Sequence, residues 1–254
     1  MTESIVMNTK LMKTKLTTAW SKVPSILAVL MFTSVASHAA ISFTEDFSDF
    51  SPSPNMALGT GFGSPTTTFA SGTFNITSGI SSRIYLGTIA ADYNTTNFVF
   101  EADVTVSSNS PWSIAFIGMG SPNATGGFGE PSGTVNIGMA LRSDGNRLES
   151  RDNGGIATAV STTVSLATHG ISMSWNATTS LATFGFDSGN DGSYESSFTV
   201  NGADNGFTAS NSQLFIGGGN GLIFDNLTVT IIPEPSAPLL GGLGVLLLLR
   251  RRRN

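Results

Sequence analysis

From Phe98 to Val106 the chain alternates without a break. Phe98, Phe100, Ala102, Val104 and Val106 fall on one face of an extended chain, and Glu101, Asp103 and Thr105 on the other. A period of two marks a β-strand buried on one side, because successive side chains point to opposite faces. Shorter runs recur through residues 40–231, broken by Gly, Asn, Asp and Pro, and no stretch there keeps a helical period of useful length. Strands are predicted at Phe43–Phe47, Thr73–Ile76, Ile84–Leu86, Thr134–Leu141, Arg147–Arg151, Ile171–Trp175, Leu181–Phe186, Tyr194–Val200, Gln213–Gly217 and Leu222–Ile231. Ser113–Met119 is apolar on both faces and reads as a central strand. About a dozen short strands with turn residues between them make an all-β sandwich or barrel.

Composition narrows the class. Only 11% of residues are charged and 40% are hydrophobic, with 29 glycines and 17 phenylalanines. So few charges exclude a charge-laced helical bundle, and so many large apolar side chains exclude a disordered chain. There is no cysteine, which removes disulfides, zinc fingers, iron–sulfur clusters and thiol catalysis. All four lysines lie in the first 22 residues, and four of the eight arginines are Arg250 to Arg253. Residues 40–232 hold four basic side chains (Arg83, Arg142, Arg147 and Arg151) against fifteen acidic ones, a balance of −11. Such a body repels phosphate backbones, so nucleic acid is not an expected partner, while cations are attracted to it.

Both ends read as sorting devices. Lysines, the apolar run Ile26–Phe32 and the small-residue site Ser37-His38-Ala39 follow in the order of a secretory signal peptide. Residues 1–39 are predicted to be the leader, cut by signal peptidase between Ala39 and Ala40. At the other end, residues 232–254 hold the box Pro233-Glu234-Pro235, the apolar run Leu239–Leu249, and Arg250, Arg251, Arg252 and Arg253. The prolines keep the box extended. A helix of eleven residues covers about 16 Å of a hydrocarbon core about 30 Å thick, so membrane residence is strained or temporary. The arginines hold the extreme end on the cytoplasmic side.

This tail resembles the PEP-CTERM sorting signal of Gram-negative bacteria. The resemblance implies export, recognition by an exosortase-type membrane protease, cell-surface or extracellular residence after processing, and association with exopolysaccharide. Sortase substrates share the plan but carry a Leu-Pro-x-Thr-Gly box, which the chain lacks. The body, residues 40–231, resembles a concanavalin-like, laminin-G-like jelly roll. Phe43-Thr44-Glu45-Asp46-Phe47 and Phe224-Asp225-Asn226-Leu227-Thr228-Val229-Thr230 match its bracketing strands, and Phe98–Val106 its central strand. The resemblance implies an antiparallel sandwich closed by its first and last strands in one sheet.

Candidate chemistry is sparse. Glu101-Ala102-Asp103 resembles the start of the Glu-x-Asp-x-Glu strand of jelly-roll glucanases, but the third position is Thr105 or Val106. Glycoside cleavage needs two positioned carboxyls, so no catalytic residues are assigned and no enzyme is expected. His169 reads as an exposed turn residue without a Gly-x-Ser-x-Gly elbow. Gly217-Gly218-Gly219-Asn220-Gly221 reads as a hairpin turn. Asp187-Ser188-Gly189-Asn190-Asp191-Gly192 partly matches a calcium loop. A β-turn accounts for these residues without metal, and no cofactor is expected. If calcium does bind, its ligands are Asp187, Asp191 and Glu195. Trp112, Trp175 and Tyr194 are the candidates for stacking on sugar rings.

These features support an exported, non-catalytic surface or matrix protein. A carbohydrate-binding module within the matrix is the alternative, and a jelly-roll glycoside hydrolase ranks third.

Overall fold

The computed structural model describes residues 41–233 except 50–51, 53, 78–81, 112, 124–135, 153–154 and 209–210. The Ala39–Ala40 junction, Glu234, Pro235, the arginine cluster and Trp112 therefore lie outside the described residues.

Among the described residues there are fifteen strands: β1 (Phe43–Glu45), β2 (Met56–Leu58), β3 (Thr67–Ala70), β4 (Thr73–Ile76), β5 (Ile84–Thr88), β6 (Phe98–Val106), β7 (Ile114–Gly120), β8 (Asn136–Arg142), β9 (Arg147–Asp152), β10 (Gly155–Ser161), β11 (Thr168–Asn176), β12 (Leu181–Asp187), β13 (Ser196–Asn201), β14 (Gln213–Gly218) and β15 (Leu222–Ile231). Two three-residue 3-10 turns, Tyr93–Thr95 and Ala203–Asn205, complete the regular structure. No helix among the described residues is long and apolar enough to cross a membrane.

The strands form two antiparallel sheets. The eight-stranded sheet runs β13-β12-β11-β6-β15-β4-β3, with β1 also on β15. The seven-stranded sheet runs β10-β9-β8-β7-β14-β5-β2. The expected closure is present: Phe43 of β1 pairs with Val229 of β15, and β6 lies between β11 and β15.

Strand alternation explains the core. Phe98, Phe100, Ala102, Val104 and Val106 are all buried, while Val99, Glu101, Asp103 and Thr105 face outward on the eight-stranded sheet. Ile171, Met173 and Trp175 of β11 join them, with Ala182, Phe184 and Phe186 of β12 and Phe224, Leu227 and Val229 of β15. The seven-stranded sheet contributes Ile117, Met119, Ile137, Met139, Leu141, Leu214 and Ile216. At about 1.5–3 kcal/mol for each large apolar side chain buried, this one core offsets much of the entropy of ordering the chain. Strand β7 is buried along both faces because a second cluster (Tyr85, Ile114, Phe116, Ala140 and Phe215, with Phe62 against it) covers the outer side of its sheet.

Three expectations need correction. Gly217 and Gly218 are strand residues of β14, and the chain after them crosses from one sheet to the other instead of making a hairpin. Their φ values of 149° and 141° suit only glycine, which lets the backbone leave one sheet and enter the next. Strands β2, β3 and β10 were not expected; the first two are three and four residues long, too short for a period to register. His169 is a buried residue of β11, not an exposed turn residue.

Candidate binding face

The outer face of the eight-stranded sheet gathers the candidate residues. Pairing fixes which side chains adjoin. Asp187 on β12 pairs with Gly170 on β11, Gly170 with Asp103 on β6, and Asp103 with Asp225 on β15. These four positions form one cross-strand row holding three carboxylates. The neighbouring row runs Ser197, Gly185, Ser172, Glu101 and Thr228. The next holds Thr199, Thr183, Ser174, Val99 and Thr230. The face is acidic and rich in hydroxyls. The four arginines of the body stand elsewhere, on β8 and β9 or just before β5.

Tyr194 projects onto this face from the segment before β13. Its hydroxyl donates to Glu101 Oε1 at 2.8 Å. The ring lies over Gly185: a Cβ there would stand 2.8 Å from Tyr194 Cδ1 and 2.9 Å from Cγ. The residue stays 40% exposed. Partial burial, together with the Glu101 hydrogen bond, pushes its phenol up to about 12. The ring is thus held at one edge by a carboxylate and seated on bare backbone, with its other side free.

Asp103 is held too. Strand β15 carries a bulge between Asp225 and Thr228, where Asn226 takes a left-handed φ of 49°. The bulge turns the Asn226 amide so that Nδ2 donates to Asp103 Oδ2 at 2.7 Å. Thr105, where a glucanase needs its second glutamate, shares a 2.7 Å hydrogen bond with the Thr168 hydroxyl.

The predicted calcium residues come together at one end of the face. One carboxylate oxygen each from Asp187, Asp191 and Glu195 lies within 4.8 Å of the others. Asp187 terminates β12 and is only 2% exposed. Its Oδ1 accepts from Gly189 N–H at 3.0 Å and its Oδ2 from Gly192 N–H at 2.7 Å. Burial works to raise this carboxyl, but N–H groups of Gly192, Asp191, Gly189 and Asn190 outweigh it and hold it below the ordinary carboxylate range. Glu195 Oε2 accepts from Ser188 N–H at 2.8 Å. The segment is therefore a turn tied by its own carboxylates, as the Asp-Asn-Gly pattern implied, and the same carboxylates converge.

His169 sits beneath this turn. Its Nδ1 lies 2.9 Å from Ser188 O and its Nε2 2.9 Å from Ser165 O, with the ring packed on Phe186. It holds two loops together. Trp175 is a core residue whose Nε1–H donates to Asn94 O at 3.0 Å, so of the described aromatic candidates Tyr194 is the exposed one.

No family model matches the sequence, and no curated protein is similar to it in sequence. Solved structures do match. Lectin II from Ulex europaeus superposes with a TM-score of 0.57 over 76% of this chain and 99% of its own, at 14% identity. Arcelin-5, a lectin-like defence protein from Phaseolus vulgaris, gives 0.58 over 76% and 99%, at 8% identity. The fold is a legume-lectin-type, concanavalin-like sandwich. The exoplasmic/lumenal domain of VIP36, in a form described as Ca2+- and Man-bound, shares this sandwich with a TM-score of 0.57 over 77% of this chain and 91% of its own, at 9% identity. The pairing of first and last strands and the central position of β6 in the concanavalin-like sandwich agree with the sequence expectation.

Neither the Tyr194–Glu101 pair nor the Asn226–Asp103 pair was predicted. Each joins segments about a hundred residues apart, and only strand register brings them together.

Proposed function

We propose that the body is an exported, non-catalytic polysaccharide-binding sandwich of the cell surface or extracellular matrix. Its binding face is the outer face of the eight-stranded sheet around Tyr194. The observation that carries the reading is the Tyr194 ring, seated on Gly185, tied to Glu101 and open on one side. An aromatic ring presents an apolar face suited to the C–H side of a sugar, and hydroxyls and carboxylates around it meet the sugar hydroxyls. Ser172, Thr183 and Thr199 stand in the rows beside the ring. The names of the structural neighbours, lectins among them, lend support to carbohydrate as the ligand class.

Export follows from the lysine, apolar-run and Ser37-His38-Ala39 order, and exosortase-type processing from Pro233-Glu234-Pro235, the apolar run and the arginines. Both put the body where exopolysaccharide lies. Glu101 and Asp103 are engaged by Tyr194 and Asn226, and Thr105 supplies no carboxyl. The face is read as binding sugars without cleaving them.

Affinity electrophoresis tests the proposal. The purified protein runs through gels cast with β-glucans, mannans, galactans and the producing cell's own exopolysaccharide. Retardation in at least one gel, lost in Tyr194→Ala, is expected. Migration unchanged in every gel, or retardation that Tyr194→Ala leaves intact, overturns it. Reducing-sugar release that disappears in Glu101→Gln would make the protein an enzyme.

A further inference from the structure

The eight-stranded sheet has two unlike ends. At one, the body begins and finishes: Ile231 N–H donates to Ser42 Oγ at 3.0 Å, and Ile232 N–H to Asn97 O at 2.9 Å. Register carries this end across the sheet, from Ile231 to Phe98, Phe98 to Trp175, and Trp175 to Ala182. Three of the large exposed hydrophobic residues, Ile41, Leu181 and Ile232, lie along it. The rest of this end carries Asn97, Asn176, Ala177, Thr178, Thr179, Ser180 and Asn201, with Asp204 in the Gly202–Asn205 turn and Asp92 ahead of the Tyr93–Thr95 turn as its acids among the described residues. The other end carries Asp187, Asp191 and Glu195. Six residues of β12 separate Leu181 at one end from Asp187 at the other, about 20 Å at 3.3–3.4 Å per residue.

We propose that the end bearing Ile41, Leu181 and Ile232 is the membrane-facing surface of the tailed protein, so that the Asp187–Glu195 turn and Tyr194 point away from the lipid. The proposal rests on the tail as a membrane-sorting segment. It adds which way the body stands on it. The apolar run starts at Leu239, six residues after Pro233, so the tail leaves the body within a few residues of the bilayer. Anionic headgroups repel an acidic surface and tolerate a neutral one with apolar side chains. The end from which the tail departs carries fewer clustered carboxylates and bears Ile41, Leu181 and Ile232, while Leu166 is the exposed apolar residue of the acidic end. The acidic end would be the one repelled, and the chain places it about 20 Å away. A group joined at Pro233–Pro235 in place of the tail would depart from the same end.

The absence of native cysteine makes the test direct. Thr179→Cys, on the β11–β12 turn, and Ser193→Cys, on the β12–β13 segment, are exposed positions at the two ends. Each variant of the full chain carries a donor fluorophore and is reconstituted into phosphatidylethanolamine–phosphatidylglycerol vesicles containing a lipid-linked acceptor. Energy transfer several-fold stronger from position 179 than from 193 is expected. Equal transfer, or stronger transfer from 193, in protein that floats with the vesicles overturns the orientation while leaving the tail reading intact. Failure of the full chain to float with the vesicles overturns the tail reading and the orientation with it.

Discussion

The Tyr194 hydroxyl donates to Glu101 Oε1 at 2.8 Å across 93 residues of sequence, pinning the segment before β13 onto the central strand β6. With partial burial, this hydrogen bond favours the neutral phenol, because a phenolate could not donate and would face a carboxylate. The raised value works in one direction: the pair's stabilisation is complete below the ordinary tyrosine range near 10 and is lost as pH climbs through about 12. Alkaline titration followed by tyrosinate absorbance should therefore contain a late step near 12 that is smaller in Tyr194→Phe. Tyr93, buried and also raised to about 12, contributes to the same step. A Tyr194→Phe curve identical to that of the unaltered protein would mean that the phenol is not held.

Gly185 decides whether the ring can lie down. A Cβ there would meet Ser172 Oγ at 2.6 Å as well as the tyrosine ring. The backbone at Gly185 is not among the positive-φ positions, so alanine is conformationally acceptable and acts by contact alone. Gly185→Ala is expected to lift Tyr194 off the sheet, weakening polysaccharide binding about tenfold, or about 1.4 kcal/mol. The melting temperature should move by no more than a few degrees. Titration of the variant against the polysaccharide that retards the unaltered protein checks this; equal affinity would detach the ring's seat from binding.

His169 should matter to stability more than its position suggests. Two backbone carbonyls, Ser165 O and Ser188 O, lie 2.9 Å from its ring nitrogens. In His169→Leu the hydrogen bonding that joins the two loops is lost at a net cost of about 0.5–1.5 kcal/mol, since the carbonyls of the exposed Ser165 and Ser188 can turn to water. A loss of about 0.5–1.5 kcal/mol in chemical denaturation is expected, with faster amide exchange near Ser165 and Ser188. A variant as stable as the parent would show that the loops hold themselves.

The strands were legible wherever one face is wet and the run is long enough for a period to register. Phe98–Val106 and Leu222–Ile231 match the observed strands residue for residue. Legibility failed where geometry depends on distant partners. His169 lies in Ala167-Thr168-His169-Gly170, a sequence that reads as a turn, yet pairing with Val104 draws it into β11. The Gly217–Gly221 run announced a change of direction but not that it joins two sheets. The residue types of the candidate face were visible in the sequence, since Tyr194, Glu101 and Asp103 were each singled out. Their assembly was not, because it is set by the order β13-β12-β11-β6-β15 and by a bulge at Asn226.

The turn at Asp187 provides a test in which metal and hydrogen bonding give opposite results. Its two oxygens already accept from Gly189 and Gly192, and hydrogen bonds to a charged group contribute about 1.5–3 kcal/mol. Asp187→Asn should therefore destabilise the protein at neutral pH by about 1–3 kcal/mol, with or without EDTA. Asp191, exposed at the turn, contributes one local bond to Ser193 N–H, and Asp191→Ala should cost less than about 1 kcal/mol. The pH dependence follows from the lowered Asp187 carboxyl. Its stabilisation is complete above the ordinary aspartate value near 3.9 and is lost as pH falls through the lower folded value. Between neutral and strongly acid solution, the stability of Asp187→Asn should therefore decline less steeply than that of the parent. Denaturation midpoints at several pH values, with calcium and with EDTA, measure all of this. A saturable rise in stability with calcium, lost in Asp191→Ala, would instead make the converging carboxylates of Asp187, Asp191 and Glu195 a metal site, since an ion bound only by the folded state at 100 times its Kd adds about 2.7 kcal/mol.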